Sequence, residues 1–166
     1  MVGPDTRLMN ALSFTAGDLV ANKQGLLTEA QQGVLDRKRA VLVRNFLVYC
    51  LFVIGVVSLF FLGQKTLDSR TITLGVGFGV VLLGLFSPIL FKWQKIGLDM
   101  REGIVHSVEG QVRLDIQPVF RGGAIMSLTV NGVKFRIPKE VLFAFQNDED
   151  YKIYYVPLSK VLVSAE

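Results

Sequence analysis

The sequence predicts an α+β membrane protein with N-terminal helices, a two-helix transmembrane hairpin and a small C-terminal five-stranded β barrel or sandwich with one short helix. Three observations lead to this prediction. Two uncharged runs, of 20 and 21 residues, lie close together at 45–64 and 71–91. The mean hydropathy of +0.44 is high for a chain with 19% charged residues. After residue 103, apolar residues recur with a period of two, which is typical of half-buried strands.

The two uncharged runs have the length of transmembrane helices. At about 1.5 Å rise per residue, each would reach roughly 30 Å, which is the hydrocarbon thickness of a bilayer. The alternative is a pair of core helices in a soluble protein. It would need a larger soluble shell than the rest of the chain supplies, so we interpret 45–64 and 71–91 as membrane spans.

The spans divide the chain into six parts. These are a cytoplasmic N-terminal helical segment (1–44), the first span (45–64), a short extracytoplasmic loop (65–70), the second span (71–91), a juxtamembrane linker (92–102) and a cytoplasmic β domain (103–166). A connection this short predicts a tight helical hairpin with both chain termini on one side.

Basic residues predict which side that is. Seven of them flank the outer ends of the spans, namely Arg37, Lys38, Arg39, Arg44, Lys92, Lys95 and Arg101, whereas the loop carries only Lys65 and Arg70. Because cytoplasmic flanks carry the excess of Lys and Arg, we predict a multi-pass protein of the cell (inner or plasma) membrane with both termini cytoplasmic. Tyr49 and Trp93 are placed to anchor at the cytoplasmic interface.

The N-terminal segment reads as two helical pieces around a turn. Asp18 is predicted to cap a short helix that ends at Gly25, a residue suited to a left-handed C′ position. Thr28 and Gln31 have the spacing of a capping box, and they predict a second helix that begins at about residue 29 and continues into the first span.

Small residues in the spans predict how the helices pack. The second span has Gly75 and Gly79 on one stripe and Gly77 and Gly84 on another, and the first span offers Gly55 and Ser58. In lipid, helix association depends on close packing at such positions. Our hypothesis is that one stripe receives the first span and the other a neighbouring protein or copy. Pro88 predicts a kink or an early helix end in the second span.

The β domain begins with a strand over 104–116 that is expected to bend at Gly110. Asn131-Gly132, between two β-rich runs, predicts a type I′ hairpin because both residues of that turn need positive φ. Pro138 opens a predicted short helix, and the last two strands are expected on either side of Pro157-Leu158-Ser159. Residues 118–123 are expected to form a turn or loop.

The order of these parts resembles that of uncharacterised prokaryotic two-span membrane proteins with a small C-terminal β domain. The final strands carry the resemblance through a Tyr-Tyr-x-Pro-x-Ser core, here Tyr154, Tyr155, Pro157 and Ser159. The resemblance implies the architecture. It implies no activity, and it assigns no functional residue.

No pattern of catalytic or ligand-binding residues is evident, so we predict no enzyme activity, no catalytic residue, no cofactor and no metal. His106 is the only histidine and Cys50 the only cysteine, and neither has a partner for zinc binding or nucleophilic catalysis nearby in the sequence. Residues 103–166 carry seven basic and seven acidic residues, which argues against nucleic-acid binding, since that requires a basic face.

These features favour a membrane-anchored accessory or scaffolding protein that presents its β domain to the cytoplasm. Its expected partners are the lipid bilayer and either another membrane protein or further copies of itself. Two alternatives remain open at this stage: a small oligomeric channel or transporter subunit, and a membrane-tethered regulator that senses a ligand. Neither span contains an Asp, Glu, Lys, Arg or His residue, and such residues within a membrane usually mark ion and proton pathways, so the channel is less favoured.

Overall fold

The computed structural model describes residues 5–63, 68–119 and 123–166. They form an α+β protein with one long apolar helix and one open antiparallel sheet. The helices are α1 (Thr6–Leu12), α2 (Ala16–Lys23), α3 (Glu29–Leu62), α4 (Ser69–Gly84), α5 (Ser87–Glu102) and α6 (Lys139–Leu142). The strands are β1 (His106–Val119), β2 (Gly123–Val130), β3 (Val133–Arg136), β4 (Asp150–Tyr155) and β5 (Leu162–Ala165).

The chain divides into two compact units. The polar unit contains the described residues of Met1–Val34 together with Leu98–Glu166, and the apolar unit contains those of Leu35–Gly97. Helices α3 and α5 each contribute residues to both units. The N-terminal helices and the β strands, which are far apart in the sequence, therefore belong to one folded body.

Helix α3 runs unbroken for 34 residues, as the sequence predicted. Its start is the expected capping box: Gln31 N donates to Thr28 Oγ1, and Thr28 N donates to Gln31 Oε1, each at 3.3 Å. By length and composition α3 qualifies as one candidate membrane span. Helices α4 and α5 qualify only as a pair bent by 40°, so the described residues contain one candidate span, or two if the bent pair counts as one.

The second apolar run is not a single helix over 71–91. Helix α4 ends at Gly84 and α5 begins at Ser87, so the break lies just before Pro88. Proline at 88 has no N–H to donate, and its ring clashes with the carbonyl four residues earlier, which is that of Gly84. The kink expected at Pro88 is therefore present. Helix α5 continues to Glu102, so the segment 92–102 is helical. Residues 64–67 of the short connection lie outside the described residues.

The hydroxyl of Tyr49 satisfies a carbonyl that this break leaves free. In a continuous helix the Leu82 carbonyl would accept from Phe86 N, but Phe86 N donates to Leu83 O instead. Tyr49 Oη donates to Leu82 O at 2.8 Å, and the Tyr49 ring stacks on Phe86. Tyr49 thus stabilises the end of α4, a role its sequence position did not suggest.

The N-terminal helices differ from prediction in one cap and one extra element. Thr15 is the N-cap of α2, and Asp18 lies at N3, where its carboxylate accepts from Thr15 N in a capping box. The prediction that Asp18 itself caps this helix was wrong, because a Thr three residues before an acid completes the reciprocal pair. Helix α1, which begins after Asp5, was not predicted.

The connection between α2 and α3 pairs with the chain that enters the sheet. Leu27 N donates to Gly103 O and Val105 N donates to Gly25 O, both at 2.9 Å, around an antiparallel bridge between Leu26 and Ile104. Gly25 has φ 78°, as expected for a residue just after a helix. These bonds fix the N-terminal segment to the start of the β region.

The strands form a single open sheet of order β3-β2-β1-β4-β5, in which neighbouring strands are antiparallel. The prediction of a closed barrel or a two-sheet sandwich was therefore wrong. Closure would require the edge strands β3 and β5 to pair with each other. Strand β3 has only four residues, and α1 and α2 pack against β5.

Strand β1 is long because it pairs with β4 over its first part and with β2 over its second part. Residues 106–111 pair with β4, and residues 112–119 pair with β2. Gly110, with φ 149°, lies near the change of partner, where the sequence predicted a bend. Pro118 and Val119 continue the strand and were wrongly expected to start a turn, and residues 120–122 lie outside the described residues. We call residues 116–119 and 123–125 the β arm, since in the described chain they pair only between β1 and β2 and have no partner in β3 or β4.

Asn131 and Gly132 form the turn between β2 and β3, with φ 45° and 80°. Replacing Gly132 by valine would place a β-branched residue in the left-handed region, and we expect this to lower the free energy of unfolding by about 1–3 kcal/mol. Chemical unfolding of the full chain in detergent would measure it. Asn131→Gly is the matched control, because glycine accepts positive φ, and an equal loss in both variants would contradict the turn geometry.

Candidate functional site

The apolar unit exposes most of its large side chains. Leu59 is 71% exposed and Leu74 is 68% exposed, and many other Leu, Val, Ile and Phe residues of α3 and α4 are also exposed. Soluble monomers rarely expose apolar patches of this extent. The apolar surface of the two helices is therefore the first candidate functional feature.

The two glycine stripes of α4 lie in different surroundings. A Cβ on Gly75 would lie 2.5 Å from Phe61 Cζ, and one on Gly79 would lie 3.3 Å from Val57 Cγ2, so this stripe receives α3. A Cβ on Gly77 or Gly84 would meet nothing within 4 Å, and the same holds for Gly55. Ser58 is exposed. Among the described residues, only the first stripe thus packs against α3.

The flanking basic residues of the apolar unit do not share one environment. Arg37, Lys38, Arg44, Lys92 and Lys95 are exposed, whereas Arg39 is half-buried. Arg101 belongs to the polar unit, where it is exposed. The Arg39 guanidinium lies 4.3 Å from the centroid of the Trp93 ring, and it occupies space beside Gly97, where a Cβ would come within 3.4 Å of Arg39 Cζ.

In the polar unit, a buried carboxylate joins the two helix starts. Asp18 accepts from Thr15 N and Thr15 Oγ1 at 2.8 Å, and its other oxygen accepts from Thr28 Oγ1 at 2.5 Å. Burial alone would raise the pKa of Asp18, but the hydrogen bonds from Thr28 and Thr15 outweigh it and hold the pKa below its ordinary value. One side chain thus completes the capping box of α2 and binds Thr28, the N-cap residue of α3.

Asp18 should make the polar unit sensitive to acid. Because its pKa is lower in the folded chain than in the unfolded chain, its stabilising effect is present above the unfolded pKa, about 3.9, and is lost as the pH falls through the folded value. We expect Asp18→Asn to lower the free energy of unfolding by about 1 kcal/mol at pH 7, and the difference from wild type to shrink below pH 4. Urea unfolding at pH 7 and pH 3 would measure this, and a difference that does not depend on pH would contradict it.

Further polar side chains hold the N-terminal helices on strand β5. Asn22 Nδ2 donates to Ser164 Oγ at 2.6 Å, and Gln31 Nε2 donates to Val163 O at 3.2 Å. All three of these polar side chains are buried. Buried hydrogen bonds of this kind fix the position of one element on another, because breaking them leaves unsatisfied groups.

Glu166 extends this network at the end of β5. Its carboxylate accepts from Tyr154 Oη at 2.8 Å and forms an ion pair with Lys23 at 2.5 Å. Burial would raise the pKa of Glu166, but the contacts with Lys23 and Tyr154 lower it overall. Burial and the neighbouring Glu166 in turn raise the pKa of Tyr154 well above its ordinary value.

A second buried carboxylate, that of Asp99, holds the turn before β5. Its two oxygens accept from Leu158 N at 2.9 Å and from Ser159 N at 2.8 Å, and its side chain is fully buried. The turn belongs to the Tyr-Tyr-x-Pro-x-Ser core noted in the sequence. Asp99 was missed by sequence reasoning because its partners lie about 60 residues away.

The residues considered for chemistry stay apart. His106 is exposed and its ring makes a T-shaped contact with the Tyr155 ring, and Cys50 lies in α3. Among the described residues no group of three His, Cys, Asp or Glu side chains is placed to hold a metal ion.

The β arm of the polar unit is a further exposed surface. Ile116 is 53% exposed and Val119 is 42% exposed. Unpaired strand edges with apolar side chains are templates for pairing with another chain. Comparison with known proteins assigns no relative to these surfaces: no family, no curated protein and no solved structure matches the chain.

Proposed function

We propose that the protein is a membrane-anchored accessory or scaffolding protein, a subunit of a larger or homo-oligomeric membrane assembly. The observation that carries the proposal is the exposed apolar surface of α3 and α4. Such a surface is unfavourable in water and favourable in hydrocarbon. The polar unit, with its buried core and hydrogen-bonded helices, is then the part that works in the aqueous phase.

Partner binding is supported by two surfaces that nothing in the described chain covers. The stripe of Gly77 and Gly84 is open to a second helix, and small residues allow helix backbones to approach closely in lipid. The β arm offers free strand edges with exposed apolar residues. Both suit a protein that acts by holding another protein or further copies of itself.

The proposed topology places both termini in the cytoplasm, on the strength of seven basic residues against two. Two experiments test it on the full chain. A reporter fused after Glu166 should behave as cytoplasmic, and a cysteine replacing Ser69 should react with an impermeant reagent in intact cells. Cys50 would first be replaced by serine so that only the introduced thiol reports. Labelling that requires permeabilised cells would overturn this orientation.

Membrane anchoring and assembly have their own test. Alkaline carbonate should leave the protein in the membrane pellet, and mild detergent should release it as a particle larger than one chain plus its micelle. Gly84→Ile should reduce the size of that particle if the open stripe carries the contact. Release by carbonate would refute the anchoring, and a monomer in several mild detergents would refute the assembly.

A further inference from the structure

An apolar groove lies in the apolar unit beside the cationic ends of α3 and α5. It has a volume of about 150 Å³, and only apolar and aromatic side chains line it. These are Leu42, Val43, Phe46, Ile89, Leu90 and Trp93. A groove of this character suits a hydrocarbon chain.

A basic cluster lies directly beside the groove. Arg39 stacks on Trp93, which is itself a wall of the groove. Lys38 precedes Arg39 on α3, Lys92 precedes Trp93 on α5, and the two ammonium groups are close enough for their charges to repel. We call Lys38, Arg39 and Lys92 the basic cluster.

The basic cluster could bind an anion. Arg39 Nε is buried and has no hydrogen-bond acceptor. Within residues 5–63, 68–119 and 123–166, no carboxylate forms an ion pair with any of the three cations. A buried donor without an acceptor is unfavourable, and so is the placement of two like charges near each other. An anionic group placed here would relieve both.

We propose that this groove binds one anionic phospholipid, with an acyl chain along the apolar side chains and the phosphate headgroup on the basic cluster. The proposal rests on the membrane anchoring proposed above and goes beyond it by naming a specific ligand site. The groove gives no net gain over bulk lipid for the acyl chain, because both are apolar. Selectivity for anionic over zwitterionic lipid therefore comes from Lys38, Arg39 and Lys92, and the groove holds the lipid in place.

Trp93 is the only tryptophan of the chain, so its fluorescence reports on this groove alone. The full chain would be reconstituted in phosphatidylcholine vesicles that contain an increasing fraction of phosphatidylglycerol with brominated acyl chains, which quench tryptophan on contact. Brominated phosphatidylcholine is the reference lipid. At about 1 kcal/mol per cation, which corresponds to roughly fivefold in binding, we expect brominated phosphatidylglycerol to be preferred at Trp93 by at least about fivefold.

Single substitutions distinguish a specific lipid site from a general attraction of anionic lipid to the positive charge of the protein. Lys92→Gln keeps the Arg39–Trp93 stack and should reduce the preference about fivefold, and Arg39→Gln should reduce it at least as much. Arg44→Gln is the matched control, since it removes the same charge from α3 at a position about 140° around the helix from Arg39. It should change the preference less than twofold.

Each contrary quenching result overturns a different part of the proposal. Equal quenching by the two lipids would overturn the site, and so would a loss in Arg44→Gln as large as that in Lys92→Gln. Quenching by neither lipid, in a protein that resists carbonate extraction, would show that a second chain fills the groove. That result would overturn the lipid site but not the anchoring. Quenching by neither lipid in a protein that carbonate releases would refute the anchoring itself.

Discussion

Replacing Gly75 by leucine is expected to destabilise the packing of α4 on α3 by about 2 kcal/mol, the usual effect of overfilling a packed interface. A Cβ at this position would lie 2.5 Å from Phe61 Cζ and 3.0 Å from Phe61 Cε1, so the ring must leave its place. Gly77→Leu is the matched control, because it makes the same chemical change on the same helix with nothing within 4 Å. Leucine has a higher helix propensity than glycine, and this gain is the same in both variants, so it cancels when their stabilities are compared.

Unfolding of the full chain in detergent, followed by circular dichroism, would measure both variants. We expect Gly77→Leu to lie within about 0.5 kcal/mol of wild type, as for other substitutions without contacts. Phe61→Ala provides a second test, because it makes room for the leucine. In that background the penalty of Gly75→Leu should fall to less than half, which is the coupling expected of residues in direct contact. Equal destabilisation by Gly75→Leu and Gly77→Leu would show that the two stripes do not differ.

Replacing Asp99 by alanine is expected to lower the free energy of unfolding of the polar unit by about 3 kcal/mol, since it removes two hydrogen bonds to a buried charged acceptor. Leu158 N and Ser159 N would lose their acceptor in a part-buried turn. Asp99→Asn keeps one carbonyl oxygen and should lose about half as much. Glu102→Ala is the control, because Glu102 lies on the same helix and is exposed.

The loss of Asp99 should affect both the overall stability of the protein and the local stability of the turn before β5. Urea unfolding of the full chain gives the overall loss, and hydrogen exchange at the amides of residues 158 and 159 reports whether the turn opens first. We expect exchange there to accelerate in Asp99→Ala by more than at the β1–β2 ladder. If the two amides keep their wild-type protection, Asp99 does not hold the turn.

Most of the local structure follows from the sequence. The Thr28–Gln31 box marks the start of α3, Pro88 marks the break after α4, and Asn131-Gly132 marks the turn between β2 and β3. These signals act over a few residues, through a cap, a missing N–H or a positive φ, so they do not depend on the rest of the fold. The alternation of apolar residues likewise indicated the strands, although β1 continues to Val119, where a turn was expected.

The candidate surfaces are less predictable. The sequence contains two glycine stripes of equal appearance, and only the position of Phe61 decides that Gly75 faces α3 while Gly77 is open. Arg39 looked like one of seven interchangeable flanking cations, yet it alone is stacked on Trp93 with a buried donor. The surroundings of each glycine and each cation depend on which face of its helix packs against a neighbouring helix. The spacing of residues in the sequence does not reveal that face.

By itself, the sequence determined the two apolar runs, the cap of α3 and the turn between β2 and β3, because each depends on neighbouring residues. Only the tertiary structure decided that the sheet stays open and that the N-terminal helices belong to the β region. Asn22 and Gln31 join the N-terminal helices to β5, and Asp99 holds the turn before β5, through hydrogen bonds to residues 59 to 142 positions away. Contacts over such distances form only when the whole chain is folded, since local propensity favours no particular partner among distant segments.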